Sequence, residues 1–168
     1  ATLVACAEAI AKAGSAEEKA KHLKLRSRHL RKMNRLDEAL RDAQETVDLQ
    51  PDSANNYNNR ALVLTALARN EAALSDYNKA ITLTTGNSYL LINRGRLQMN
   101  AFGDLDKALA DFKAAAEAEQ SPESQKEFRA HARLLAQIMK TDEETVFKVS
   151  GVLEEAAAFT AEPKIWWR

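Results

Sequence analysis

Residues 54–87 read ANNYNNRALVLTALARNEAALSDYNKAITLTTGN, and their internal order decides the fold. Tyr57, Ala61 and Leu64 stand at i, i+4 and i+7, on one face of a helix. In the second half Ala73, Tyr77, Ala80 and Ile81 also share a face. Only the short joint Arg69-Asn70 separates the halves. The spacing therefore predicts two antiparallel helices, 54–68 and 71–84, packed side by side. Small Ala61 and Ala73 let the backbones approach, while Tyr57 and Tyr77 fill the wider spaces on either side.

The same order recurs upstream and downstream. A shift of 34 residues aligns Leu23, Tyr57 and Leu91; Arg26, Arg60 and Arg94; and the small residues Ser27, Ala61 and Gly95. Leu30 meets Leu64, Ala39 meets Ala73, Leu40 meets Leu74, Asp42 meets Asp76, Val47 meets Ile81 and Leu49 meets Leu83. In the third copy the later columns hold Ala108, Leu109, Asp111 and Ala116, at an offset of 35, so one residue is inserted between Asn100 and Asp104. Agreement at about ten columns is the signature of a repeat architecture.

Composition points the same way. Five Gly and three Pro in 168 residues is sparse punctuation, which fits long helices with short joints and not an all-β chain. Lys+Arg and Asp+Glu both number 24. A net charge of zero excludes a globally basic nucleic-acid binder and an acidic solvating tail, though not a local patch. The one cysteine, Cys6, makes no internal disulfide and no four-cysteine zinc site. The longest apolar stretch, Ala61 to Ala68, is far short of the roughly 20 residues of a membrane span. The chain shows no signal peptide and no initiator Met, so a processed product or an excised segment is expected.

These residues resemble the tetratricopeptide repeat family. The second unit carries its motif as Tyr57, Ala61, Leu64, Ala73, Tyr77 and Ala80, and the third as Leu91, Gly95, Ala108, Phe112 and Ala115. The first offers Leu23, Ser27, Leu30, Ala39 and Pro51, with Ala43 where the aromatic is expected. Thr85 and Gln120 replace the terminal proline, and Gln98 replaces a large apolar residue. The resemblance covers roughly residues 20–120 and implies an all-α, right-handed superhelical solenoid of antiparallel helix pairs with capping helices. One domain is expected: an N-terminal helix at 2–13, repeats at 20–53, 54–87 and 88–121, and capping helices in 122–168. Within the last segment, residues 122–139 and 142–159 read as helices. Thr141-Asp142-Glu143-Glu144 opens the second as a cap, and Val146, Val149, Val152, Leu153, Ala156 and Phe159 form its apolar face. Trp166 and Trp167 are expected to pack on the last helix or to anchor a neighbour.

The resemblance implies a protein-interaction module, an adaptor or scaffold, whose first helices line a concave groove for an extended peptide. The groove residues are then Lys21, Lys24, Arg28 and Arg31 on the first unit, Asn55, Asn58, Asn59 and Leu62 on the second, and Tyr89, Asn93 and Arg96 on the third. Asparagine donates to and accepts from any peptide backbone, and the basic first unit selects a partner with an acidic segment. Some family members clamp the terminal carboxylate of a chaperone. Of that five-residue clamp this chain keeps Lys24 and Asn59 but has Arg28, Tyr89 and Asn93 at the other places, which disfavours that role.

The repeated arginines invite reading as an anion track. Each, however, has an aspartate at near-constant separation: Arg26 with Asp42, Arg60 with Asp76, Arg94 with Asp111. Ion pairs between neighbouring helices are the better reading. The sharpest charge cluster is Lys19, Lys21, Lys24, Arg26, Arg28, Arg31, Lys32 and Arg35. Arg26 is expected to pair inward, leaving the groove-facing cations for an acidic segment. The rival reading is RNA or an anionic surface bound through 19–35, against which stands the absence of interleaved aromatics. A further rival is a secretion chaperone holding a translocator. The segment 5–10 resembles the start of some exported bacterial members of the family, so an exported, periplasmic or cytoplasmic bacterial protein is expected. No catalytic site, metal or cofactor is expected. His22 and His29 share a face without a third ligand, His131 lies among core residues, and Gly14 and Gly103 are isolated.

Overall fold

The computed structural model describes residues 3–140. The expected helix 142–159 with its apolar face, its cap at Thr141, and Trp166 and Trp167 lie outside the described residues. Eight α-helices follow one another among the described residues: α1 (Leu3–Lys12), α2 (Ala16–Lys32), α3 (Leu36–Leu49), α4 (Ala54–Ala66), α5 (Asn70–Leu83), α6 (Ser88–Leu97), α7 (Leu105–Ala118) and α8 (Pro122–Lys140). They form a tetratricopeptide-type solenoid. Helices α2 and α3, α4 and α5, and α6 and α7 make three hairpins, and α1 and α8 flank them.

Local chemistry sets the helix ends. Ser15 caps α2 by accepting from the Glu18 amide at 3.1 Å, and the Glu18 carboxylate reaches back to the Gly14 amide at 2.9 Å. This reciprocal cap starts α2 at Ala16, ahead of the repeat register. Asn87 caps α6 by accepting from the Tyr89 and Leu90 amides, and Asp104 caps α7 by accepting from the Lys107 amide, without a returning bond.

The joint inside each hairpin repeats too. Asn34, Ala68 and Gly103 all take the left-handed conformation, with φ of 57°, 55° and 65°. The amide of Arg35 returns to the Leu30 carbonyl and that of Arg69 to the Leu64 carbonyl, both at 2.9 Å. In the third unit Asp104 returns to Gln98, one residue further back, at 3.0 Å. Residues Gln98–Phe102 accordingly wind as a π-helical turn. The inserted residue found in the sequence is absorbed there, and the columns resume in step.

The core runs through the hairpins as linked clusters. Size is traded across each one. Ala61 packs with Tyr77 and Gly95 faces Phe112, and the matching columns of the first unit hold Ser27 and Ala43. A Cβ on Gly95 would sit 2.6 Å from the Phe112 ring. Where Ala43 replaces the aromatic, Val63 of α4 joins Leu30, Ala39 and Ala43 to fill the space.

Candidate functional site

The arginine–aspartate pairs build the frame of the site. Each guanidinium grips its aspartate with two hydrogen bonds: Arg26 to Asp42 at 2.7 and 2.7 Å, Arg60 to Asp76 at 2.7 and 2.6 Å, and Arg94 to Asp111 at 2.9 and 2.6 Å. The three aspartates are each 5% exposed. Bonding to the aspartate holds each arginine above its ordinary pKa. Two of the arginines reach further. Arg60 donates to Gln44 and Arg94 to Asn78, each at 2.8 Å, and both acceptors belong to the preceding unit. One side chain thus ties a first helix to its own second helix and to the one before. Two neighbouring lysine and arginine residues also pair, Lys19 with Glu45 and Arg35 with Glu38. The basic cluster of 19–35 is therefore divided, with Lys19, Arg26 and Arg35 engaged by carboxylates of α3.

The residues expected to face the groove lie on α2, α4 and α6. Lys24, Arg28 and Arg31 are half-buried at i, i+4 and i+7 of α2. Burial pulls Lys24 below its ordinary pKa, and the neighbouring Arg28 adds to the effect. Burial does the same to Arg31 and to Arg96 of α6. Both guanidiniums lie near the Tyr77 hydroxyl, whose own pKa burial pushes up to about 12. Cations from the first and third units thus converge over the second. Lys21 and Asn55 are exposed, Leu62 is half-buried, and Tyr89 is 49% exposed, with its ring edge-on to Phe128 of α8 at 6.3 Å.

The asparagines are more engaged than their spacing suggested. Asn59 is 4% exposed and donates to the Ser27 hydroxyl at 3.1 Å, and Ser27 donates to the Ala39 carbonyl at 2.9 Å. Asn93 donates to Asn58 at 3.1 Å. Both links join consecutive first helices, so these amides hold the units together. Asn56, absent from the sequence-derived set, is fully buried. It donates to the Thr46 carbonyl at 3.0 Å and to Gln50 at 3.2 Å, which fastens the turn at Pro51. The amides at 44 and 78 were also missed, although their spacing of 34 was a legible signal.

Helix α8 packs on α7 at the end of the described stack. His131 lies 6.1 Å from Phe112, the place that Arg96 takes against Tyr77 one unit earlier. Its Nδ1 donates to the Glu127 carbonyl at 2.9 Å. Burial, aided by Arg96, keeps the ring below its ordinary pKa and so neutral near pH 7. A recess of about 890 Å³ opens between α3 and α5, lined by Asp37, Arg41, Gln44, Asp48, Arg60 and Asp76 among others. Its charges are of mixed sign and partly locked in the ladder, so it has less to offer a ligand than the residues expected to face the groove. Among the described residues no group of three or more His, Cys, Asp or Glu is placed to hold a metal ion, and no helix is long and apolar enough to cross a membrane.

Comparison with known proteins adds the following. A model of the tetratricopeptide repeat matches residues 54–87. Human DnaJ homolog subfamily C member 3 is 33% identical over 123 residues, which is 73% of this chain and 23% of that protein. The chain therefore spans about a quarter of the length of the curated relatives it matches. The first repeat domain of Spaghetti (RPAP3), solved bound to the HSP90 peptide SRMEEVD, is 28% identical, with a TM-score of 0.60 over 71% of this chain and 94% of that one. The type III secretion translocator chaperone SycD of Yersinia enterocolitica shares the fold at 11% identity, with a TM-score of 0.67 over 74% of this chain and 88% of that one.

Proposed function

Because the chain is a tetratricopeptide-repeat protein of several units, we propose that its concave groove receives an extended, acidic segment of a protein partner. The observation that supports this reading is that half-buried Arg31 of α2 and Arg96 of α6 both lie near Tyr77, with Arg28 and Lys24 one and two turns back along α2 from Arg31. Desolvated cations held near one another strengthen their hold on an incoming carboxylate and make its binding dependent on salt. Exposed Asn55 and Tyr89 supply backbone contact and an aromatic face. Asn58 and Asn93 already pair with each other and Asn59 with Ser27, so these three act as the groove's floor. The peptide held by the RPAP3 domain contains two glutamates and an aspartate, which is the chemistry this surface suits.

Binding to RNA or an anionic surface through 19–35 is the weaker reading, since Lys19, Arg26 and Arg35 are engaged by carboxylates. The secretion-chaperone reading rests on a likeness of fold alone. The test is calorimetric titration of the protein with an acidic seven-residue peptide, for which SRMEEVD is a ready probe. Lys24→Ala with Arg96→Ala should weaken binding about ten-fold or more, corresponding to roughly 1.4 kcal/mol. Affinity should fall again as salt is raised from 0.05 to about 0.5 M. Equal affinity of the double variant and the parent would refute the assignment of this groove.

A further inference from the structure

The neutral charge of the whole chain conceals a division along its length. Residues 1–140 hold eighteen acids against twenty-one Lys and Arg, a net +3. Residues 141–168 hold six acids, Asp142, Glu143, Glu144, Glu154, Glu155 and Glu162, against Lys148, Lys164 and Arg168, a net −3. Between Val149 and Pro163 there are three glutamates and no base. The segment begins where α8 ends, the helix that sets Phe128 against Tyr89 of α6 and His131 against Phe112 of α7.

We propose that residues 141–168 are a tethered ligand of this protein's own groove, so that a partner binds by displacing them. This inference rests on the groove reading above. The charge is complementary: a cationic concave face, built from Lys24 and Arg28 of one unit and Arg96 of another, meets the acidic end of the same chain. The apolar content is complementary as well. Val149, Val152, Phe159, Trp166 and Trp167 give the segment side chains for the exposed ring of Tyr89. Reach is no obstacle. From α8 to α2 is three helix spacings, about 30 Å at roughly 10 Å each. Twenty-eight residues can reach at most roughly 90 Å, well over that distance. Tethering raises the local concentration of such a ligand to the order of millimolar, so even a weak intramolecular contact outcompetes a dilute partner. Affinity for a partner then depends on how well its acidic segment improves on the one already present.

Trp166 and Trp167 are the only tryptophans of the 168-residue chain and lie in this segment, so their fluorescence reports on it in that chain. Acrylamide quenching should rise about two-fold in Lys24→Glu with Arg96→Glu. It should rise equally in Glu154→Lys with Glu155→Lys and Glu162→Lys, whose changes lie outside helices α1–α8. Combining the two sets should return quenching toward the parental value, because the swapped charges attract again. Quenching that ignores the groove variant, or that the combination fails to restore, overturns the proposal. A second readout separates it from the groove reading. The Glu→Lys segment variant should bind labelled SRMEEVD about ten-fold more tightly than the parent, since its internal competitor is weakened. Unchanged peptide affinity overturns the displacement while leaving the groove as a binding site. Peptide binding by neither protein, with quenching restored in the combined variant, overturns the partner reading while leaving the internal dock intact.

Discussion

Position 95 shows how a single missing atom shapes a unit. Phe112 fills the third hairpin only because nothing projects from Gly95, and a Cβ there would lie 2.6 and 2.9 Å from two ring carbons. Neighbouring units carry Ala61 with Tyr77 and Ser27 with Ala43 in the matching columns. Helix propensity alone favours Gly95→Ala by about 1 kcal/mol. The clash opposes it, because Phe112 is packed between Gly95 of α6 and His131 of α8 and has no low-energy direction in which to move. The net effect expected is a loss of about 1–2 kcal/mol in urea unfolding. The reciprocal variant Gly95→Ala with Phe112→Leu should recover part of it. A stabilised single variant would show that the ring shifts freely and that the size exchange is incidental.

At the scale of the element, the hairpin is fixed by one bidentate grip. Arg60 ties α4 to α5 through Asp76 and reaches Gln44 on α3, so three helices meet at one guanidinium. A lysine in its place keeps the charge but not the fork. Arg60→Lys should therefore lose about 1–2 kcal/mol, and Arg60→Ala more, because Asp76 is then left buried and uncompensated. Thermal or urea unfolding checks this order. A lysine variant as stable as the parent would mean that charge alone, and not geometry, holds the hairpin. The pairing itself was legible in the sequence, since arginine and aspartate recur in step. So were the helices, their period and the inserted residue, because packing residues repeat wherever the same packing repeats. The start of α2 at Ala16 was missed because the Ser15–Glu18 cap is a local event outside the repeat. The burial of Asn56 and Asn59 was missed for a different reason. Polar residues on a first helix suggest solvent, and only the neighbouring unit shows that Ser27 and the Thr46 carbonyl wait for them.

Those inter-unit bonds govern the molecule as a whole. In a stack of repeats each unit touches only its neighbours, so stability is a sum of unit terms and seam terms. The seam between the first and second hairpins holds Asn59 to Ser27, Asn56 to the Thr46 carbonyl and Arg60 to Gln44. The seam between the second and third holds Asn93 to Asn58 and Arg94 to Asn78. Asn59→Ala removes a buried donor from the first seam without adding bulk. It should cost about 1 kcal/mol, since the Ser27 hydroxyl keeps its bond to the Ala39 carbonyl. In a solenoid that cost is not shared evenly. Amide exchange should quicken in α2 and α3, which lose part of their hold on the stack, and stay nearly unchanged in α6 and α7. Equal acceleration in all helices would instead show that the hairpins unfold as one cooperative body. It would also bear on the proposed peptide binding, which needs the cations of α2 and α6 kept in one arrangement by the seams between them.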